Sequence, residues 1–147
     1  MQWTFAHTEH TPASPERIWA LWSDVSGWPS WDSGVEHVTL EGPFAAGTKG
    51  VLKPRGGPKV RFALTEVQPP DGFADVAKLP LARMRFEHSA VREGDRTRVT
   101  HRVLISGPAT PLFSRLIGRG IAKDLPAAVS ALALAAAERD AAPATSR

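Results

Sequence analysis

Cysteine and tyrosine are both absent from this 147-residue chain, and methionine occurs only twice. Without Cys there is no disulfide framework, no thiolate metal site and no Cys nucleophile, so stability must come from packing. Without Tyr the interior loses a common polar side-chain donor. A large surplus of charge is missing as well: 18 Lys and Arg against 15 Asp and Glu leave a formal charge of +3, which does not call for dedicated nucleic-acid binding. Long apolar runs are also lacking. The longest, Ala127 to Val129 followed by Ala131 to Ala137, is Ala-rich and short of the ~18 residues of a spanning helix, which argues against integral membrane association. Trp3, His7, Glu9 and His10 stand where an export signal would carry a basic start and an apolar run, so a cytoplasmic protein is expected.

What is present suits one globular domain. Apolar residues make up 42% of the chain and charged residues 22%, and a chain of this length buries roughly 68 to 70% of its unfolded surface. No repeat or linker interrupts it. Residues 1–140 are read as a single domain and 141–147 as a flexible C-terminal tail, because the stretch from Asp140 on is small and polar.

Gln2 to Glu9 alternates, with Trp3, Phe5, His7 and Glu9 on one side, as in a strand with one buried face. Ser14-Pro15-Glu16 is a helix start: a capping Ser, a Pro where its missing N–H costs nothing, and an acid in the positive first turn. Asp24 is positioned to cap a second short helical turn, with Trp28 and Trp31 on one side of it. From Val35 to Ile105, turn residues recur at strand-length spacing and leave room for six more strands. Pro111 to Arg139 carries Phe113, Ile117, Ile121, Leu125, Ala128 and Leu132 at helical spacing, an amphipathic helix with a bend expected near Ala122 from Pro126. Gly118 and Gly120 fit either close helix-to-sheet packing or space kept for a ligand.

Arginine fixes the strand parity, since it is almost never fully buried without a partner. Lys59 and Arg61 outward leave Val60, Phe62 and Leu64 inward. Arg83, Arg85 and Glu87 outward leave Met84, Phe86, His88 and Ala90 inward. Arg96, Arg98 and Arg102 outward leave Val99, His101, Val103 and Ile105 inward. With Gly94-Asp95 as a two-residue hairpin loop, Ala90 faces Val99, His88 faces His101, Phe86 faces Val103 and Met84 faces Ile105. A slip of one residue would put arginines in the core.

Two inward histidines in an apolar row need polar company. They can be satisfied by each other, by water or by backbone; they can meet a ligand; or, as a pair titrating near neutrality, they can act as acid and base. Metal binding by His7, His88 and His101 lacks a ligand-spacing motif, and no metal or cofactor is expected. The outward arginines form a basic sheet face, but acids dilute it and no aromatic platform interleaves it, so nucleic acid is not an expected partner.

Ala13-Ser14-Pro15-Glu16-Arg17-Ile18-Trp19, Trp28-Pro29-Ser30-Trp31-Asp32, Gly42-Pro43-Phe44 and Gly47-Thr48, with Phe86-Glu87-His88 and Thr97 to Thr100, resemble the START-like or SRPBCC superfamily. The likeness is nearest to its bacterial polyketide cyclase/dehydrase and lipid-transport-like members and covers nearly the whole chain. It implies an α+β helix-grip fold: a seven-stranded antiparallel sheet wrapped around a long C-terminal helix, with two short helices after strand one and a cavity between sheet and helix. It also implies that His7 lies near His101.

Fold does not fix function, and three readings stand. The first is binding of a small hydrophobic or amphipathic ligand, such as a lipid, polyketide or quinone-like molecule. Its walls would be Trp28, Trp31, Phe62, Leu64, Met84, Phe86, Val103, Ile117 and Ile121, with His88, His101 and His7 as polar contacts. Trp19 and Trp22 are expected in the core instead. The second is a cyclase/dehydratase-type enzyme with His88 and His101 as the acid/base pair. The third is a regulatory interaction domain with a collapsed interior. Whether a reaction is catalysed is left open, and so is a homodimer.

Overall fold

A computed structural model describes residues 2–141, with side chains through 138. Strand β1 (Gln2–Thr11) is followed by helix α1 (Pro15–Ser23) and a 3-10 helix (Val25–Ser30). Six strands come next: β2 (Val35–Leu40), β3 (Lys49–Pro54), β4 (Val60–Gln68), β5 (Gly72–Leu79), β6 (Ala82–Glu93) and β7 (Arg96–Ser106). Helix α2 (Thr110–Ala141) closes the chain. Apart from Ala141, which ends α2, the expected tail 141–147 lies outside the described residues.

All seven strands form one antiparallel sheet in the order β1-β7-β6-β5-β4-β3-β2. This is the helix-grip fold. Arginine parity holds across the central hairpin: Ala90, His88, Phe86 and Met84 face Val99, His101, Val103 and Ile105. Gly94, at φ 65°, supplies the left-handed residue that this two-residue loop needs. On the other side of β7, His7 pairs with His101.

Local signals set the helices. Ser14 Oγ accepts from Arg17 N at 3.1 Å, with Pro15 in the first turn. Asp24 departs from the expectation, since its carboxylate caps nothing in the 3-10 helix and accepts from Ser26 Oγ at 3.1 Å. Its carbonyl instead receives Gly27 N at 3.0 Å. The Trp28 indole N–H donates to the Trp22 carbonyl at 2.8 Å, anchoring the 3-10 helix to the end of α1.

Helix α2 continues through Pro126 without a break. Its two halves do different work. Val129, Leu132, Ala133 and Ala136 are buried in the core against the sheet and α1, whereas Ile117, Ile121 and Leu125 of the first half are only partly buried. Of the two glycines, Gly118 is explained by packing, because a Cβ there would lie 3.0 Å from the Trp3 ring, while Gly120 has open space around it. Helix residues Thr110–Glu138 contain an 18-residue window of mean hydropathy 1.4, long and apolar enough to cross a membrane, a property that the longest unbroken apolar run did not reveal. In this fold the helix is gripped by the sheet.

Gly72 has no room for a side chain, since an added Cβ would stand 2.2 Å from the His88 carbonyl oxygen. That close approach draws the start of β5 onto β6, where Phe73 pairs with His88.

Candidate functional site

The curl of the sheet and the loosely packed half of α2 leave a cavity of about 300 Å³. The interior is therefore not collapsed. Its floor is the inward side of β4 to β7: Phe62, Phe73, Asp75, Ala77, Met84, Phe86, His88 and His101. Ile117, Ile121, Leu125 and Ala128 roof it, and Trp28, Trp31 and Asp32 stand at one side with Val35, Leu52, Pro54 and Val60. Another depression of about 310 Å³, beside Pro15, Pro70 and Ala90, has its charged groups Glu16, Asp71 and Arg92 in solvent. It assembles no buried polar group.

Of the residues expected to line a cavity, Trp28, Trp31, Phe62, Met84, Phe86, His88, His101, Ile117 and Ile121 do so. Three do not. Leu64, 1% exposed, packs in the cluster that holds Trp22 and Phe73, and Val103, 0% exposed, packs with Met84 and Ile105 under Phe113. Both point inward, but where the sheet and its covering elements are already in contact. His7 also points inward, yet its side chain is 30% exposed and its Nε2 meets Glu9 Oε2 at 2.7 Å. Trp22, expected in the core, is fully buried and also reaches the cavity wall.

Each histidine is held in a defined tautomer. An indole N–H only donates, and Trp22 Nε1 lies 3.2 Å from His101 Nε2, so that nitrogen must accept and neutral His101 carries its proton on Nδ1. A carbonyl only accepts, and His88 Nδ1 lies 3.2 Å from the Phe73 oxygen, so His88 carries its proton on Nδ1. His88 Nε2 has no partner among the described residues and is not sealed off, which leaves its lone pair on the cavity side. The His88 ring stacks on Phe73 at 3.9 Å and 5° and meets His101 edge-on at 4.6 Å.

The pair does not titrate near neutrality. Burial pushes His88 down to about 4, with the Phe73 carbonyl opposing. Burial also drives His101 well below its ordinary range, helped by the positive charge that His88 and His7 would carry. Both rings are neutral at pH 7 because the low-dielectric interior penalises the imidazolium.

The group that the sequence reading missed is Asp75. It is 7% exposed, lines the cavity and has no hydrogen bond among the described residues. Burial pushes its carboxyl up to about 7; the Arg85 guanidinium pulls the other way but is itself engaged by Glu66 and Glu87, each at 2.9 Å. A signal was available: Lys78 outward on β5 puts Phe73, Asp75 and Ala77 on the inward side. At the rim, Asp32 accepts from Gly34 N at 2.9 Å, and burial, followed by Asp124 of α2, acts to raise its carboxyl. Among the described residues no three His, Asp or Glu side chains come together as metal ligands.

Solved structures share the architecture. The Zhui aromatase/cyclase from Streptomyces sp. R1128 superposes with a TM-score of 0.78 at 17% identity, over 97% of this chain and 98% of that one. Norcoclaurine synthase from Thalictrum flavum, in complex with dopamine and hydroxybenzaldehyde, gives 0.73 at 16% identity, over 94% and 88%. TTHA0849 from Thermus thermophilus gives 0.72 at 18% identity, over 95% and 99%. At such identities the likeness is one of fold alone. No curated protein sequence matches the chain. The family model described as polyketide cyclase/dehydrase and lipid transport matches residues 2–137, nearly the whole chain, and the helix-grip fold agrees with it; the protein therefore belongs to that family.

Proposed function

We propose that this protein binds a small, largely apolar molecule in the cavity between the sheet and α2. The observation that carries the reading is the combination of a half-open volume with its wall chemistry: about 300 Å³ lined mainly by aromatic and aliphatic side chains, with a few polar groups among them. That is the composition of a ligand pocket, at the small end of the usual range of about 300 to 1,000 Å³. A guest of one or two rings suits it better than a long acyl chain. Trp28 and Trp31 supply rigid apolar wall, and His88 Nε2 offers an acceptor to a polar head.

An acid/base reading of the same cavity is second, and one observation favours it. Asp75, at about 7, exchanges its proton near neutral pH in the space that His88 Nε2 faces. His101 is a poorer partner, because its Nε2 lone pair is taken by Trp22.

One experiment separates the two readings. Native mass spectrometry of protein purified from its own host should reveal a retained molecule of one-to-one stoichiometry. That molecule, isolated and returned to ligand-free protein, is recovered unchanged from a carrier and altered by an enzyme. If the freshly purified protein carries nothing and takes up nothing from a host extract, neither reading survives.

A further inference from the structure

The polar atoms of the cavity are unbalanced. The Trp22 and Trp28 N–H groups are spent on His101 Nε2 and the Trp22 carbonyl. The Trp31 indole N–H is buried without a partner but is closed off from the open volume. His101 Nδ1–H is the one remaining ring donor among the described lining residues. Against it stand the Asp75 carboxyl, His88 Nε2 and, at the rim, Asp32. Among the described residues no Lys or Arg lines the cavity, although the chain holds more Lys and Arg than Asp and Glu. The Asp75 carboxyl receives no hydrogen bond from the described residues and its oxygens are not sealed off, so its partner must come from whatever occupies the cavity.

We propose that the guest is a hydrophobic amine whose protonated nitrogen sits on the Asp75 carboxylate while its apolar body fills the space between the aromatic walls. The inference rests on the cavity-binding reading and names the ligand class. An ammonium donates where the cavity accepts: to Asp75 with charge assistance and to His88 Nε2. Phe86, Trp28 and Trp31 line the same volume, and aromatic rings attract a cation. An anionic guest would meet two carboxyl groups and no countercharge. A neutral guest would leave Asp75 to remain protonated or to bear an uncompensated charge; the elevated pKa of about 7 is what such isolation produces.

Three probes of nearly equal shape test this by calorimetric titration at pH 7.5: naphthylmethylamine, naphthylmethanol and naphthoic acid. The amine should bind at least about tenfold more tightly than the alcohol, as expected for a desolvated charge pair, with the acid weakest. In the Asp75→Asn variant, which keeps the side-chain shape, the amine should lose its advantage over the alcohol. The inference is overturned if the alcohol or the acid binds as well as the amine in the wild type, or if the amine keeps its advantage in the variant. Binding of the alcohol in that case leaves the cavity reading intact. If none of the three binds, both fall.

Discussion

Truncating Trp22 to alanine should destabilise the protein by about 3 to 5 kcal/mol, the usual cost of removing a large buried aromatic side chain. Trp22 is fully buried where α1 meets the sheet, edge-on to Trp19 at 6.3 Å and to Phe73 at 5.5 Å. It also satisfies His101 Nε2. Two contributions can be compared, because Trp22→Phe keeps much of the packing while removing the donor and part of the ring. That leaves a buried acceptor unpaired and should cost about 1 to 3 kcal/mol. Urea unfolding of the three proteins gives both numbers. A loss below about 1 kcal/mol for the alanine variant would mean that the aromatic cluster is not the keystone of this end of the fold.

The second large effect concerns charge. In the unfolded chain Asp75 ionises near 3.8, and in the fold near 7. Between those values the native state holds the extra proton, so this group removes stability as pH rises, by about 1.4 kcal/mol per unit and about 4 kcal/mol in all. The histidines act oppositely. Their folded pKa values are depressed, His88 to about 4 from 6.5, so the unfolded chain binds the extra protons and stability is lost as pH falls through that window. With two imidazoles opposing one carboxyl, the wild type should lose about 1.4 kcal/mol per pH unit on acidification from about 6.5 toward 4.5. Asp75→Asn should lose about twice that, since its carboxyl no longer offsets the histidines. At pH 7.5 the variant should be more stable than the wild type by about 2 kcal/mol, after subtracting the cost of a buried amide without partners. Thermal unfolding between pH 5 and 8 checks both slope and offset. An Asn variant less stable at pH 7.5, with an unchanged acid slope, would remove Asp75 from the account.

Much of the frame could be read from residue order. Arg83, Arg85, Arg98 and Arg102 cannot be buried cheaply, and with Gly94-Asp95 they leave a single register for β6 and β7, which brings His88 and His101 together. Depth could not be read the same way. Alternation tells which side of the sheet a residue occupies, but not where along the curl α2 stands off and where it touches. Hence Phe62 and Phe86 line the cavity, whereas Leu64 and Val103, on the same face, are covered. The histidine tautomers depend on Trp22 and the Phe73 carbonyl, groups distant in sequence, and the pKa depressions follow from enclosure by the whole fold. Asp75 escaped notice for a different reason. Parity rests on charges pointing outward, and this carboxyl points in.

Calorimetric titration of naphthylmethanol into the wild type and into an Ala128→Trp variant probes the cavity itself, independently of any charge on the guest. Ala128 sits in the roof over the open volume, so an indole there should occupy the space a ligand needs. The wild type should bind one equivalent with a negative heat-capacity change, from burial of apolar surface, and the filled variant should bind at least about tenfold more weakly while unfolding at a similar or higher urea concentration. Undiminished affinity in the filled variant, or no binding to the wild type, would contradict a ligand cavity beneath α2.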